Sequence, residues 1–118
     1  MLDSNILIDG LNRHPAAVLV LETGDDQAIS VMSWLEVLAG IRSREGDVAI
    51  REWLGKFEVV QVTADVSERA LELRRTTSLK LVDAIILASA QVTDRQLYTR
   101  NTKDFRPDWP GVIVPYTL

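Results

Sequence analysis

Met1-Leu2-Asp3-Ser4-Asn5-Ile6-Leu7-Ile8 sets a single acid inside an otherwise apolar opening. Leu2 reads as the end of a buried strand, Asp3 as its last residue, and Ser4 as the cap of a helix running from residue 5 toward residue 11. In an open α/β sheet, groups just beyond the carboxyl ends of the strands line the ligand crevice. Asp3 is therefore expected to face a site. Strands usually run about 5 to 6 residues, yet only Met1 and Leu2 precede Asp3. Either the central strand is very short, or the natural start lies upstream of Met1 and a chain extended into upstream codons would be more stable.

Outward from that opening, the strand-then-helix pattern recurs. The stretch from Asn12 to Pro15 breaks the first helix, and Pro15 suits the start of a second that ends in a turn at Gly24-Asp25-Asp26. His14, the only histidine, lies in this polar break and is expected at the surface. Ala28-Ile29-Ser30-Val31 reads as a strand, followed by a helix from near Ser33 through Trp34-Leu35-Glu36-Val37-Leu38-Ala39-Gly40-Ile41. From Asp47, Ile50, Trp53, Leu54 and Phe57 recur at the spacing of one packed helix face. Val59-Val60-Gln61-Val62 is β-branched, and Asp65 with Glu68 marks the next helix start. That helix has Val66, Ala70 and Leu73 as its inner stripe and Arg69, Arg74 and Arg75 on a solvated face. Leu81-Val82-Asp83-Ala84-Ile85-Ile86-Leu87-Ala88-Ser89-Ala90 is apolar nearly all round, as a helix buried between layers must be. Gln96-Leu97-Tyr98-Thr99 is a further strand, and a polar, proline-containing loop over 101–111 leads to a last strand at 112–114. This alternation predicts an α/β protein, a three-layer α/β/α sandwich around a central, mainly parallel five-stranded sheet, in one domain over 1–118.

Composition narrows the function classes. The chain has 118 residues, 47% of them hydrophobic and 25% charged, the balance of a folded globular domain. It contains no cysteine, which removes disulfide scaffolds and thiolate metal sites. No signal-peptide pattern and no membrane-length apolar run stands out, so a cytoplasmic protein without membrane attachment is expected. A formal net charge of -4 argues against a simple nucleic-acid-binding module, because a polyanionic substrate would need local arginines or a bound cation to offset repulsion.

Acids stand where the chain leaves each expected central strand: Asp3 after the first, Glu36 after the second, Asp83 opening the buried helix before the fourth, and Asp104 after it. Only a fold with strand ends at one edge could gather residues so far apart. Carboxylates so gathered repel one another, and a cation is the ready neutraliser. Oxygen-only ligation suits Mg²⁺ or Mn²⁺, and without cysteines or clustered histidines zinc is disfavoured. Each acid has a plainer account. Asp3 could cap the first helix, Ser33-x-x-Glu36 fits a capping box, Asp83 could favour a helix N-terminus, and Asp104 could be a solvated loop residue. The plain account is weakest for Asp83, because an acid entering so apolar a segment needs a partner.

The opening Leu-Asp-Ser-Asn-Ile-Leu-Ile, the Ser-Trp-Leu-Glu-Val-Leu-Ala-Gly segment, Val82-Asp83-Ala84 leading an alanine-rich helix, and Tyr98-Thr99-Arg100-Asn101-Thr102-Lys103-Asp104-Phe105 together resemble PIN-domain ribonucleases, in order and in spacing. The resemblance covers essentially the whole chain and is strongest to the VapC toxins of bacterial toxin–antitoxin pairs. It implies strand order 3-2-1-4-5, a metal-dependent endoribonuclease activity on an RNA substrate, homodimers, and a cognate antitoxin that blocks the site. Carried over by position, Asp3, Glu36 and Asp83 match the three core acids and Asp104 the fourth, with Mg²⁺ (or Mn²⁺) held by Asp3, Asp83 and Asp104. Asn5, Thr99 and Asn101 match supporting polar positions, Asn101 at a place where some relatives carry Asp, so that it competes with Asp104 for the fourth ligand. Leu81-Val82 stands where the family often has proline.

The mechanism this implies is hydrolysis of an RNA phosphodiester with one or two Mg²⁺ ions, Glu36 holding or orienting the attacking water, and no histidine required. Arg42, Arg44 and Arg100 follow the motif acids closely enough to reach phosphate, with surface solvation the plainer expectation. An aspartyl-nucleophile phosphatase would want a second Asp where Asn5 stands. A receiver-like regulator would want paired acids near the first strand and a lysine near the last, and has only Asp3 and Lys103. Two further alternatives keep the fold: an RNA-processing nuclease outside any toxin–antitoxin pair, and a catalytically inactive interaction domain docking a partner on the faces around Trp34, Trp53 and Phe57.

Overall fold

Short parallel strands and the helices that follow them carry the whole architecture. The computed structural model describes residues 1–24 and 27–118. Its elements run α1 (Ser4–Leu11), α2 (Pro15–Thr23), β1 (Ala28–Ser30), α3 (Val31–Ala39), α4 (Arg44–Leu54), β2 (Glu58–Val60), α5 (Ala64–Thr76), α6 (Leu81–Val92), β3 (Leu97–Tyr98) and β4 (Val112–Ile113). The strands form two parallel pairs, β1 with β2 and β3 with β4. Between the pairs lies the opening segment. Leu2 N donates to Ala28 O at 2.9 Å, Tyr98 N to Met1 O at 2.8 Å and Asp3 N to Tyr98 O at 2.9 Å. The first expected strand thus survives only as a bridge between Leu2 and Tyr98, the consequence of two residues preceding an acid that turns into a helix.

Successive residues of these extended segments enter different cores, as the two-residue period of a pleated chain requires. Met1, Ala28, Val60 and Leu97 join one apolar cluster with Val66, Ala70 and Leu73 of α5 and Ala84, Ile86, Leu87, Ala88 and Ala90 of α6. Leu2, Ile29, Val59 and Tyr98 join the other with Ile6 and Leu7 of α1, Val37 and Leu38 of α3 and Leu54 of α4. The stripe expected for α5 is buried, and α6 is buried along its middle, with Leu81 exposed at its start and Gln91 and Val92 at its end. Trp34, Trp53 and Phe57 pack against the second cluster, the ordinary fate of a helix face with that spacing. No helix among the described residues is long and apolar enough to cross a membrane.

Several helix starts differ from the sequence reading for a common reason: the side chain that reaches the free amides wins over the one that merely fits a motif. Asp3, not Ser4, caps α1. Ser30 caps α3 three residues before Ser33, the expected start, Ser43 caps α4, and Thr63 rather than Asp65 caps α5, its hydroxyl accepting from Val66 N. The expected break at Asn12 to Pro15 is present, with Pro15 opening α2. Gly10 lies where Leu21 crosses α1, and any β-carbon there would collide with the leucine side chain. The turn expected through Asp25 and Asp26 lies outside the described residues.

Candidate active site

Asp3 is the most enclosed of the four acids, 4% exposed. Its Oδ1 accepts from Ser4 N at 2.8 Å, which caps α1, and its Oδ2 accepts from the buried Thr99 hydroxyl at 2.7 Å and from Asn5 Nδ2 at 3.3 Å. The plain account of Asp3 as a cap is thus true, but incomplete. A carboxylate offers about four acceptor positions, so Oδ1 keeps a lone pair for another partner. Burial pushes the Asp3 carboxyl up to about 6, with the charges of Asp83 and Glu36 pushing the same way, against the hydrogen bonds from Thr99 and Ser4. Among the described residues no arginine or lysine pairs with it.

The other acids reach the same edge from three more elements. Glu36 sits on the exposed side of α3, where its Oε1 accepts from Ser4 Oγ at 2.6 Å. The capping-box account of Glu36 fails, because Ser33 lies inside α3, fully buried, with a hydroxyl that has no partner. Asp83 is in the first turn of α6 and half-buried. Burial raises its carboxyl above the usual range, reinforced by the charges of Asp104 and Glu36 and opposed by Lys80. Asp104 is held by Asn101, whose Nδ2 donates to Asp104 Oδ2 at 2.9 Å while Asn101 Oδ1 accepts from Asp104 N at 3.3 Å. Asn101 N in turn donates to the Thr99 hydroxyl at 3.0 Å. Asn101 therefore spends its amide orienting Asp104. Asn5 completes the link, its Oδ1 accepting from Arg100 N at 3.3 Å.

Asp3, Glu36 and Asp83 lie within each other's electrostatic reach and Asp104 within that of Asp83, and together they offer an all-oxygen donor set of the kind a hard divalent cation takes. Among the described residues, as the side chains stand, no three acids or histidines are grouped closely enough to hold a metal ion. The donor chemistry fits Mg²⁺ or Mn²⁺.

Asp9 and Tyr116 escaped the sequence reading, and Ser4, Arg100 and His14 take roles other than those expected. Ser4 supplies the hydroxyl that ties Glu36 to α1. Asp9, 7% exposed on the same helix, takes Arg100 Nε on Oδ2 at 2.6 Å and Arg100 Nη2 on Oδ1 at 3.0 Å, and Tyr116 Oη donates to its Oδ2 at 2.6 Å. An acid among Ile6, Leu7 and Ile8 was itself a signal that a partner must exist. Arg100 is thus committed to an ion pair, whereas Arg42 and Arg44 are exposed as expected. His14 departs from the surface placement: it is half-buried, stacked on Tyr116 with ring centroids 5.4 Å apart, and its Nδ1 is enclosed without a partner.

Comparison with known proteins follows the same geometry. A family model described as the PIN domain matches residues 1–107. "Ribonuclease VapC19" of Mycobacterium tuberculosis is 30% identical over 125 aligned positions that take in 98% of this chain and 98% of its own. Among solved structures, a chain of a toxin–antitoxin complex from Klebsiella pneumoniae is 42% identical with a TM-score of 0.93, covering 99% of this chain and 98% of that one. A chain from the VapBC2 structure of Rickettsia felis, bound to a promoter DNA fragment, shares the fold at 22% identity with a TM-score of 0.76, covering 100% and 97%.

Proposed function

The chain belongs to the PIN-domain family, and on that premise we propose that it is an endoribonuclease acting as the toxin of a toxin–antitoxin pair, dependent on Mg²⁺ or Mn²⁺. The observation that carries the reading is Asp3: a buried carboxylate with its pKa pushed up, beside Asp83 and Glu36, with no cationic side chain to neutralise it. Asp3, Asp83 and Asp104 are the residues that hold the ion, with Asn101 fixing the rotamer of Asp104. A bound divalent cation lowers the pKa of an attacking water and stabilises charge on the leaving oxygen. Glu36, the exposed member, is placed by the Ser4 hydroxyl to accept a proton or to orient water. Asn5 and Thr99 hold Asp3 in one orientation, which spares reorganisation when the phosphodiester arrives.

The same reading joins residues 1–3 and the two strand pairs into one sheet of order 3-2-1-4-5. The hydrogen bonds on either side of Leu2 and Asp3 support that order. It also gives the protein an RNA substrate, a cognate antitoxin, a homodimeric state and a cytoplasmic setting, in line with the toxin–antitoxin assemblies in which its relatives occur. The test is cleavage of a defined RNA by wild type and Asp83→Asn, each with Mg²⁺ and with chelator. Cleavage only by wild type with Mg²⁺ is expected, and equal activity in all four samples removes the reading.

A further inference from the structure

Arg100 lies in the chain between Thr99, which holds Asp3, and Asn101, which holds Asp104. Its side chain leaves that edge and runs to α1, where Nε and Nη2 both bond the Asp9 carboxylate. Asp9 is nearly closed to solvent, with its side chain 10% exposed against 30% for Arg100. Tyr116, near the far end of the chain, closes the group from the other side with its hydroxyl on Asp9 Oδ2 and its ring on His14. Burial works against the Asp9 charge, but the hydrogen bonds from Arg100 and Tyr116 outweigh it and hold the carboxyl below the usual range. Every acceptor this carboxylate uses faces a group fixed by another element.

We propose that Asp9, Arg100 and Tyr116 are positioning residues for the nuclease centre: the two-point ion pair fixes the backbone between Thr99 and Asn101, and so sets the Thr99 hydroxyl on Asp3 and the Asn101 amide on Asp104. The inference rests on the ribonuclease reading for its kinetic consequence but not for its structural one. Fixing Arg100 at two atoms restrains the chain at a residue whose neighbours on either side carry the site. The Arg100 amide is itself held by Asn5 Oδ1, and Asn5 Nδ2 donates to the Thr99 hydroxyl, so the clamp adds a further tie, at Asp9, to a segment already bound to the start of α1. A guanidinium so engaged keeps further N–H donors on both Nη1 and Nη2, but its place is set by the Asp9 carboxylate on α1.

The experiment compares wild type, Asp9→Asn, Tyr116→Phe and Asp83→Asn as full-length chains. Cleavage of one defined RNA with Mg²⁺ is followed together with hydrogen exchange of the Arg100 and Asn101 amides by NMR without metal. For Asp9→Asn the expected result is a kcat lowered between about 10- and 100-fold, the effect of misplacing catalytic groups by a fraction of their spacing. KM is expected unchanged, with faster exchange at Arg100 and Asn101. Tyr116→Phe keeps the ion pair and moves kcat in the same direction by less, and it carries the comparison if Asp9→Asn fails to fold. A raised KM with unchanged kcat makes the group a substrate contact and overturns the proposal, as does unchanged exchange at those two amides. Should wild type cleave nothing, or Asp83→Asn cleave as well as wild type, the ribonuclease reading fails while the exchange data still decide the positioning.

Discussion

Two aspartates on one short helix have opposite electrostatics. Asp3 and Asp9 bracket most of α1 and are buried to nearly the same degree, 4% and 7% exposed. Burial is the first force on both, and it favours the neutral acid. At Asp9 the guanidinium of Arg100 and the phenol of Tyr116 reverse it, so the carboxyl is held below the usual range. At Asp3 the partners are a hydroxyl, an amide and a backbone N–H, the nearest charges are other carboxylates, and the carboxyl rises to about 6. The fold supplies a cation to one acid and withholds it from the other. Such a difference between the cap and the body of one helix separates an acid held charged by its partners from an acid with no such partner among the described residues.

The strongest way to break that contrast is Asp3→Asn. If Asp3 is a catalytic acid, RNA cleavage falls by at least about 100-fold, of the order seen when one charged group of a polar site is removed. The same substitution removes a buried charge from among like charges, while an Asn side-chain oxygen still caps α1. The metal-free variant is therefore expected to melt higher than wild type, by a gain on the order of 1 kcal/mol. Loss of activity with a raised Tm is the signature of a site kept at the expense of stability. A lower Tm would mean that the Asp3 hydrogen bonds outweigh its repulsion, and the contrast with Asp9 would collapse.

The acid limb of the stability curve offers a second, smaller test. Because the folded-state pKa of Asp9 lies below its unfolded value of about 3.9, ionised Asp9 favours folding. Its contribution is complete above about pH 5 and is lost as the pH falls through the lowered folded value. Asp9→Asn lacks that contribution at every pH. Wild type should exceed it by about 2 kcal/mol at pH 7, typical of a hydrogen bond to a charged group, and the gap should close as the pH falls from the ordinary carboxylate range through that lowered value. Thermal melts of both proteins across that range check it; a gap independent of pH would show that shape, not charge, holds Arg100.

How much of this was legible beforehand follows from how local each interaction is. The amphipathic stripe of α5 and the proline start of α2 are properties of neighbouring residues, and they were readable. The acids Asp3, Glu36, Asp83 and Asp104 were read as a set, Asp3 and Asp104 from the extended segments they follow, Glu36 from the helix after β1, and Asp83 from its place opening an apolar helix. Cap identity was less readable, since Ser30 and Ser33, or Thr63 and Asp65, compete within one turn and only packing decides between them. The supporting partners were not readable as partners. Ser4 with Glu36, and Asp9 with Arg100 and Tyr116, are matched by three-dimensional placement across most of the chain, and sequence carries only half of the signal, an acid in an apolar helix. Chain order likewise could not reveal that Arg100 turns away from the edge its neighbours serve.

The last test asks whether pairing alone, without burial, can do what Arg100 does for Asp9. Asp47 and Arg51 form an ion pair one turn apart on α4, Nε to Oδ2 at 2.8 Å, a distance close to that of the Asp9 pair. Their side chains are 53% exposed for Arg51 and 40% for Asp47, so water already solvates both charges. A solvated pair gains little Coulomb energy and spends side-chain entropy to form. Asp47 also lies in the first turn of α4, where a negative charge meets the positive end of the helix and adds a few tenths of a kcal/mol. Asp47→Asn is therefore expected to cost no more than about 0.5 kcal/mol, and about 1 M salt should erase most of that. Urea melts at low and high salt, run beside Asp9→Asn, measure both. An equal loss in the two variants would mean that geometry by itself sets the strength of these pairs. A large, salt-resistant loss at Asp9 beside a small, salt-sensitive one at Asp47 would place the difference in burial, the same quantity that pushes the Asp3 carboxyl up.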